Sequence, residues 1–212
     1  MNTRKTMNAQ FVTSWAYQVL HGESSSRTVI LDTETTDMQG EIIDLAIIDL
    51  QGKVLFTSLI KPIGKIEPGA ERVHGISMEM VQRLPGWTEQ WPDILAVLSQ
   101  QERIITYNAS YDSGRLRDTC LDNGITIRLH LPHETSPRPN IVHIDAAWSC
   151  LMQKYADYYG ELNPQHGTNK WQRLGRALEQ QGIEHKGWHR ALGDCQASLK
   201  LLRHLAAQHV KE

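Results

Sequence analysis

The sequence has few of the features that mark secreted, membrane-spanning or strongly basic proteins. Its three cysteines, Cys120, Cys150 and Cys195, are widely spaced, which is typical of reduced thiols rather than a disulfide framework. No run approaches about 18 apolar residues and no secretory signal is visible, so we expect a cytoplasmic protein without a membrane span. The net charge is −2, so tight non-specific binding of long duplex nucleic acid is not expected.

Several common catalytic and metal-binding motifs are also missing. His130, His133, His143, Cys150 and His185 form neither a CxxC nor an HExxH spacing, which argues against a structural zinc site. The chain has no glycine-rich loop of the nucleoside-triphosphate type. It also has no GxSxG or comparable cysteine motif that would supply a nucleophile. The chemistry must therefore be sought among other side chains.

The hydrophobic fraction of 40% is enough for one well-cored domain with an appended arm. In the arm, residues 1–27, the helical spacing of Phe11, Trp15 and Val19 predicts a helix at about 8–21. Basic residues without an early acid faintly resemble an organelle transit peptide there, but a packing helix is the better interpretation.

The remaining residues, 28–212, contain alternating strand and helix patterns. Strands are predicted at about 28–34, 41–50, 53–60, 103–107 and 142–144, and helices at 88–99, 109–122, 146–159, 169–181 and 191–209. The first three strands form an antiparallel meander, and the last two are linked by helices, which indicates a mixed α/β sheet. The proline-rich segment 125–140 is predicted to be a long loop or an insertion.

The segment Val29–Thr36 reads VILDTETT, an apolar run that continues into two acids. Because side chains alternate along a strand, Asp32 and Glu34 should point to the same side. Two acids on one side of a buried strand are costly unless a cation lies between them, although two surface acids at a strand end remain an alternative. Asp44 interrupts the next strand and is interpreted as a hydrogen-bonded or edge-facing acid rather than a ligand.

Two further acids lie on helical stripes that should face the sheet. Asp112 precedes Leu116 at helical spacing, and Asp194 precedes Leu201 in the same way. An acid near a helix N-terminus that faces solvent is the alternative for Asp112. His189 can face the same site as Asp194 only from the loop or the first turn of the last helix. Beside convergent acids it is a candidate general base.

The order of these residues resembles the three exonuclease motifs of the DEDD 3′–5′ exonuclease family, histidine subtype. The motifs are DTE (Asp32, Glu34), NASYD (Asp112) and HRALGD (His189, Asp194), and GAERVHGIS at 69–77 resembles a further family segment. The family includes exonuclease X, ribonuclease T and the proofreading subunit of bacterial DNA polymerase III. The resemblance covers about residues 28–208. Tyr111 departs from the phenylalanine of many members, and the long 125–140 segment leaves substrate choice open.

The resemblance implies an α/β, ribonuclease H-like fold with a central five-stranded mixed sheet flanked by helices, and an exonuclease domain over 28–212. It also implies a site with two Mg²⁺ or Mn²⁺ ions. Asp32 would bridge both ions, Glu34 and Asp194 would complete the ligands of the first ion, and Asp112 would hold the second ion partly through water. His189 would take a proton from the attacking water.

The resemblance also implies substrate contacts. Those contacts are Thr35 and Thr36 at the terminal nucleotide, His74 and Ile76 along the same groove, and Asn108 and Tyr111 beside Asp112. Basic residues that could follow the phosphates are Lys170, Arg173, Arg176, Lys186 and Arg190, although scattered charges are more often only solvated.

The expected function is hydrolysis from the 3′ end of nucleic acid, with single-stranded DNA as the expected substrate. Two alternatives remain at this point. One is a 3′–5′ exoribonuclease that trims RNA, because no residue reports how the 2′-OH is treated. The other is a polymerase accessory or binding protein with weak activity, in which the amphipathic arm contacts a polymerase or a second copy of the chain.

Overall fold

A mixed β-sheet with helices on both faces forms the centre of the computed structural model, which describes residues 3–129, 142–187 and 189–209. The strands are β1 (Thr28–Thr35), β2 (Ile42–Asp49), β3 (Val54–Leu59), β4 (Arg103–Thr106), β5 (Ile127–Leu129), β6 (Val142–Ile144), β7 (Ala147–Cys150), β8 (Leu162–Asn163) and β9 (Thr168–Asn169). The helices are α1 (Thr3–His21), α2 (Pro68–His74), α3 (Met78–Val81), α4 (Trp87–Leu98), α5 (Ala109–Asp122), α6 (Leu151–Tyr159), α7 (Leu174–Gln180) and α8 (Ala191–Ala207).

The main sheet has five strands in the order β3-β2-β1-β4-β7. β1, β2 and β3 form the predicted antiparallel meander. β4 is parallel to β1, and β7 is parallel to β4. The predicted five-stranded mixed sheet is therefore confirmed.

The fifth strand of this sheet is not the one that the sequence pattern indicated. The predicted strand at 142–144 exists as β6, but it pairs with β5 in a separate two-stranded sheet. The fifth strand is β7, which the sequence pattern had assigned to the first turn of a helix at 146–159. β7 supplies hydrogen-bond partners for the backbone groups along the edge of β4. This pairing stabilises the strand conformation of residues 147–150 more than their helical pattern favours a helix, and the helix begins only at Leu151.

The apolar start of β1 is buried on both faces, as its composition predicts. Val29, Ile30 and Leu31 are at most 1% exposed. Ile30 belongs to the core cluster formed with α8, whereas Val29 and Leu31 belong to the cluster formed with α4 and α5. Successive side chains thus anchor the strand to opposite layers, which fixes the position of the acids that follow.

The N-terminal helix packs into the same core as the sheet. Val12, Ala16 and Val19 are buried in the cluster that contains residues of α6 and α8. The helix is longer than predicted, since it begins at Thr3. Its apolar stripe is therefore covered by the chain itself, while Phe11 on its outer side is largely exposed.

Two other observations complete the fold. In the predicted loop at 125–140, β5 occupies residues 127–129, and residues 130–141, with His130 and His133, lie outside the described residues.

Across the described ranges, no helix has the length and apolarity that a membrane crossing requires.

Candidate active site

The carboxyl end of β1 carries the first two acids of the site. Asp32 lies opposite Ala46 of β2, and Glu34 lies opposite Asp44, after which a β-bulge shifts the register. Both Asp32 and Glu34 are half-buried. β4 runs parallel to β1 beside it, so the helix that follows β4 starts at the same edge of the sheet.

Asp112 enters the site from the first turn of α5. Its side chain is 3% exposed, and the hydroxyl of Thr33 donates a hydrogen bond of 2.9 Å to its Oδ1 atom. Leu116 and Cys120 continue the same stripe and are fully buried. The predicted inward orientation of Asp112 is therefore confirmed, and the solvent-facing alternative is wrong.

Asp194 and His189 approach Glu34 from the start of α8. One possible ligand atom from each of these three side chains lies within 4.8 Å of those of the other two. His189 precedes α8, as the prediction of a loop position required, and has a φ of 58°, in the left-handed region that non-glycine residues seldom adopt. Oδ1 of Asp194 is buried and has no hydrogen-bond partner among the described residues.

A glycine allows the loop before α8 to pack closely against the first turn of that helix. A Cβ atom at position 193 would collide with the carbonyl oxygen of Gly187. Gly193 was not singled out in the sequence, because the close approach joins two segments whose contact depends on the turn between them. This packing places His189 and Asp194 on the same side.

Burial raises the pKa values of all four acids, and repulsion from the neighbouring acids raises those of Asp32 and Glu34 further. Burial, followed by the charges of Asp112, Asp194 and Glu34, raises the pKa of Asp32 well above its usual range. Burial, and then the charges of Asp194, Asp44 and Asp112, raise the pKa of Glu34 to about 8.

At the other two acids, burial alone raises the pKa. Burial raises the pKa of Asp112 to about 7, against the hydrogen bond from Thr33. Burial raises the pKa of Asp194 to about 6, against attraction to His189. The cluster therefore lacks the positive charge that its ionised form needs.

A divalent cation fits these residues. The donors are hard carboxylate oxygens, and the Oδ1 atom of Asp194 is buried with its hydrogen-bonding capacity unused in the described parts of the chain. Possible ligand atoms of Glu34 and Asp194 lie within 4.8 Å of each other, which is close enough for the two acids to share an ion. The charges of all three other acids raise the pKa of Asp32, as expected for a group at the centre of the cluster.

The two threonines after Glu34 hold the backbone at the edge of the site. The Thr35 hydroxyl donates to the carbonyl oxygen of Asp37 at 2.6 Å and lies 2.7 Å from the Tyr111 hydroxyl. The Thr36 hydroxyl accepts a hydrogen bond from the amide of Glu41, and Thr36 is 4% exposed. Both side chains therefore shape the loop from within.

A cavity of about 320 Å³ opens beside Glu34 and Thr35. Its walls include Met38 and Val73, which are 79% and 54% exposed, together with His74 and Tyr111. His74 thus lines this cavity, and its contact with substrate stays a prediction.

Ile76 is fully buried with Ile43, Ile66 and Val81, and its amide donates to Nδ1 of His74. A direct side-chain contact of Ile76 with substrate is therefore incompatible with its burial, and it supports His74 from beneath. Asn108 begins α5, where its carbonyl oxygen accepts the amides of Tyr111 and Asp112.

The predicted basic path is interrupted by ion pairs. Lys170 pairs with Glu161, Arg176 with Glu179, and Arg190 with Asp44. Arg173 and Lys186 are exposed on the surface. A continuous phosphate path over these residues stays a prediction. The Asp44–Arg190 pair was not foreseen as such, although an acid in the otherwise apolar strand β2 was its signal.

Four acids and a histidine at the carboxyl edge of a mixed five-stranded sheet define a nuclease of the ribonuclease H-like fold. Comparison with known proteins agrees with this class. The sequence profile described as Exonuclease matches residues 29–202. The uncharacterized exonuclease CP81 of Escherichia phage 186 is 31% identical over 183 residues, which cover 84% of this chain and 87% of that protein.

Solved structures share the fold at low sequence identity. Exonuclease X in complex with 5′-overhanging duplex DNA has a TM-score of 0.58 at 22% identity, covering 85% of this chain and 92% of the other. The nuclease domain of 3′hExo, a DEDDh family member bound to rAMP, has a TM-score of 0.60 at 15% identity, with coverages of 85% and 92%. E. coli exonuclease I with a dT13 oligonucleotide has a TM-score of 0.61 at 20% identity, but this chain covers only 41% of it.

The chain belongs to the exonuclease family, of the DEDDh type. It is accordingly a hydrolytic nuclease that acts on nucleic acid as a 3′–5′ exonuclease, in a family that uses divalent metal ions. The matched region begins within β1, so α1 lies outside the part that the family shares.

Proposed function

We propose that this chain removes nucleotides one at a time from the 3′ end of DNA, and that it does so with two Mg²⁺ or Mn²⁺ ions. The observation that carries the proposal is the convergence of four acids, two of which lie close to His189. One ligand atom from each of Glu34, His189 and Asp194 lies within 4.8 Å of the others. Asp32 and Asp112 belong to the same electrostatically coupled cluster.

The roles of the acids follow from their positions. Asp32, Glu34, Asp112 and Asp194 would hold the ions, which would stabilise the negative charge that builds up as the phosphodiester bond breaks. Thr33 fixes the Asp112 carboxylate through its hydroxyl at 2.9 Å, and the buried packing of α5 fixes the helix itself. The acids therefore stay in place despite their mutual repulsion.

His189 is the proposed general base. Its side chain is exposed, so water and substrate can reach the ring. The adjacent Asp194 carboxylate is attracted to His189, and such a pair stabilises the imidazolium that forms when the ring accepts a proton from water. The left-handed backbone at His189 directs the ring away from the normal helical path and towards Glu34.

The cavity beside Glu34 is the proposed position of the terminal nucleotide. Val73 and Met38 expose apolar surface that a nucleobase could cover. The hydroxyls of Thr35 and Tyr111 already contact each other. The DNA complexes of exonuclease X and exonuclease I support DNA as substrate.

RNA is the second candidate substrate, because related folds have been solved with rAMP and with a histone mRNA stem-loop.

A partner that binds the arm, whether a polymerase or a second copy, is supported only by the exposed outer side of α1. Localisation in the cytoplasm also stays a prediction.

A gel assay with matched 5′-labelled DNA and RNA, run with Mg²⁺, Mn²⁺ or chelator, tests the proposal. We expect a ladder that shortens stepwise from the unlabelled end of DNA, is weak on RNA and is absent with chelator. Asp194→Ala should abolish hydrolysis while the far-UV circular dichroism stays unchanged. Internal cleavage fragments, or full activity of Asp194→Ala, would contradict the mechanism. A ladder on RNA alone would show that RNA, the second candidate, is the substrate of the same reaction.

A further inference from the structure

A fifth acid, Asp44, lies beside the proposed catalytic cluster without belonging to it. Asp44 is 3% exposed and lies directly opposite Glu34 across the β1–β2 ladder. A buried acid in an apolar strand requires partners, because desolvation of an unpaired carboxylate is costly. Its partners come from a segment 146 residues away.

The partners of Asp44 are at the first turn of α8. Nε of Arg190 lies 2.8 Å from Oδ2 of Asp44, and the amide of Ala191 donates to the same oxygen at 3.3 Å. The Asp44 side chain is 4% exposed, whereas that of Arg190 is 45% exposed. One buried carboxylate therefore holds two consecutive residues at the start of the helix.

These two residues control where the catalytic groups stand. His189 directly precedes Arg190, and the carbonyl oxygen of Arg190 accepts the amide of Asp194 at 3.0 Å. His189 is the only non-glycine residue with positive φ in the described parts of the chain. A non-glycine residue in that region is strained and persists only where its surroundings determine its conformation. The contact from Asp44 is such a determinant.

We infer that Asp44 is a positioning residue, which acts through Arg190 and Ala191 to hold His189 in its left-handed conformation against Glu34 and Asp194. This inference rests on the proposed exonuclease activity with His189 as base. The Oδ2 atom of Asp44 holds the start of α8, and Asp44 is not among the side chains whose ligand atoms lie within 4.8 Å of one another.

The same helix offers a matched control at its other end. Arg203 of α8 donates a hydrogen bond of 2.8 Å to the carbonyl oxygen of Leu50, just after β2. Arg203→Ala therefore removes an arginine that also ties α8 to β2, but about three turns away from the site. If the contacts of Arg190 and Arg203 with the β2 region only stabilised the fold, loss of either contact would have a similar effect on kcat.

The kinetic test compares Asp44→Ala, Arg190→Ala, the double variant and Arg203→Ala at a temperature where all are folded. We expect kcat to fall about tenfold to a hundredfold in both single variants, with KM within about twofold, because misplacement of a catalytic group affects the reacting geometry. The double variant should be no slower than the slower single variant, since both remove one connection. Arg203→Ala should keep wild-type kcat.

A conservative variant and an activity-independent measurement complete the test. Asp44→Asn keeps an oxygen that accepts both hydrogen bonds and should recover most of the lost kcat. In metal-free protein, Asp44→Ala should speed amide hydrogen exchange at residues 189–194, and Arg203→Ala should not.

The inference is overturned by wild-type kcat in Asp44→Ala and Arg190→Ala, by losses that multiply in the double variant, or by unchanged exchange at residues 189–194. These results differ from a failure of the proposed function. If the wild-type chain hydrolyses no DNA or RNA, the proposed function is wrong. If the wild type is active and the variants have the same kcat, only the positioning role of Asp44 is wrong.

Discussion

Neutralising one acid of the site should make the metal-free protein more stable, although it should also inactivate it. The variant is Glu34→Gln. Burial and the neighbouring acids raise the pKa of Glu34 from 4.5 to about 8, so ionised Glu34 opposes folding in the absence of a cation. Glutamine has nearly the same shape and carries no charge, and it removes this opposition.

The size of the effect follows from the pKa. A change of one pKa unit corresponds to about 1.4 kcal/mol, so Glu34 taken alone destabilises the ionised folded state by about 4–5 kcal/mol. Glutamine does not recover all of this, because Glu34 is partly open to solvent and the amide is itself desolvated. We expect a gain of about 2 kcal/mol, which in a domain of this size raises Tm by about 4–8 °C.

The stability gained by Glu34→Gln should increase as pH rises. An acid with a raised folded-state pKa binds its proton more tightly when folded, so it costs no stability below the unfolded value near 4.5 and lowers stability as pH rises towards 8. Urea unfolding in EDTA should therefore show wild type and Glu34→Gln to be equal near about pH 5 and separated by the full gain above about pH 8.

Two comparisons make the result decisive. Glu79→Gln replaces an exposed acid on α3 and should leave unfolding unchanged at both pH values. Saturating Mg²⁺ should reverse the order, because it stabilises the wild type and binds the variant less well. A Glu34→Gln protein that is no more stable than wild type in EDTA above about pH 8 would refute the electrostatic account of the site.

Three further predictions test other parts of the structure. Gly193→Ala places a Cβ against the Gly187 carbonyl and should cost about 1–3 kcal/mol in urea unfolding and lower kcat, whereas Gly114→Ala, with no neighbour within 4 Å, should do neither. Val73→Asp should raise KM about tenfold in steady-state assays by placing charge on the apolar cavity wall, while Met80→Asp, at a similarly exposed site, should not. Calorimetry without chelator should show a Tm that rises with Mg²⁺, with about 2.7 kcal/mol gained at a hundredfold excess over Kd, and no rise in Asp194→Ala. Equal Tm values with Mg²⁺ and with EDTA would contradict a metal site.

Much of the architecture could be read from local patterns. The apolar run Val29–Leu31 followed by alternating acids indicated both the central strand and its carboxylates, because alternation along a strand is a local rule. The helical spacing of Asp112 and Asp194 to apolar residues predicted that both face the sheet, with a solvent-facing alternative for Asp112, and in the structure Asp112 is buried and Asp194 half-buried. The prediction of the fifth strand was wrong. The choice between β6 and β7 depends on which segment reaches the edge of β4.

The sequence by itself determined the family, the five catalytic candidates and the order of the elements that carry them, because these depend on residue type and spacing along the chain. Only the tertiary structure showed that the hydrogen-bond partner of Asp44 is Arg190, that Gly193 must lack a side chain, and that the Ile76 side chain is buried beneath His74. The physical reason is distance along the chain. Contacts between segments far apart in sequence depend on how the layers pack, and no local periodicity encodes them.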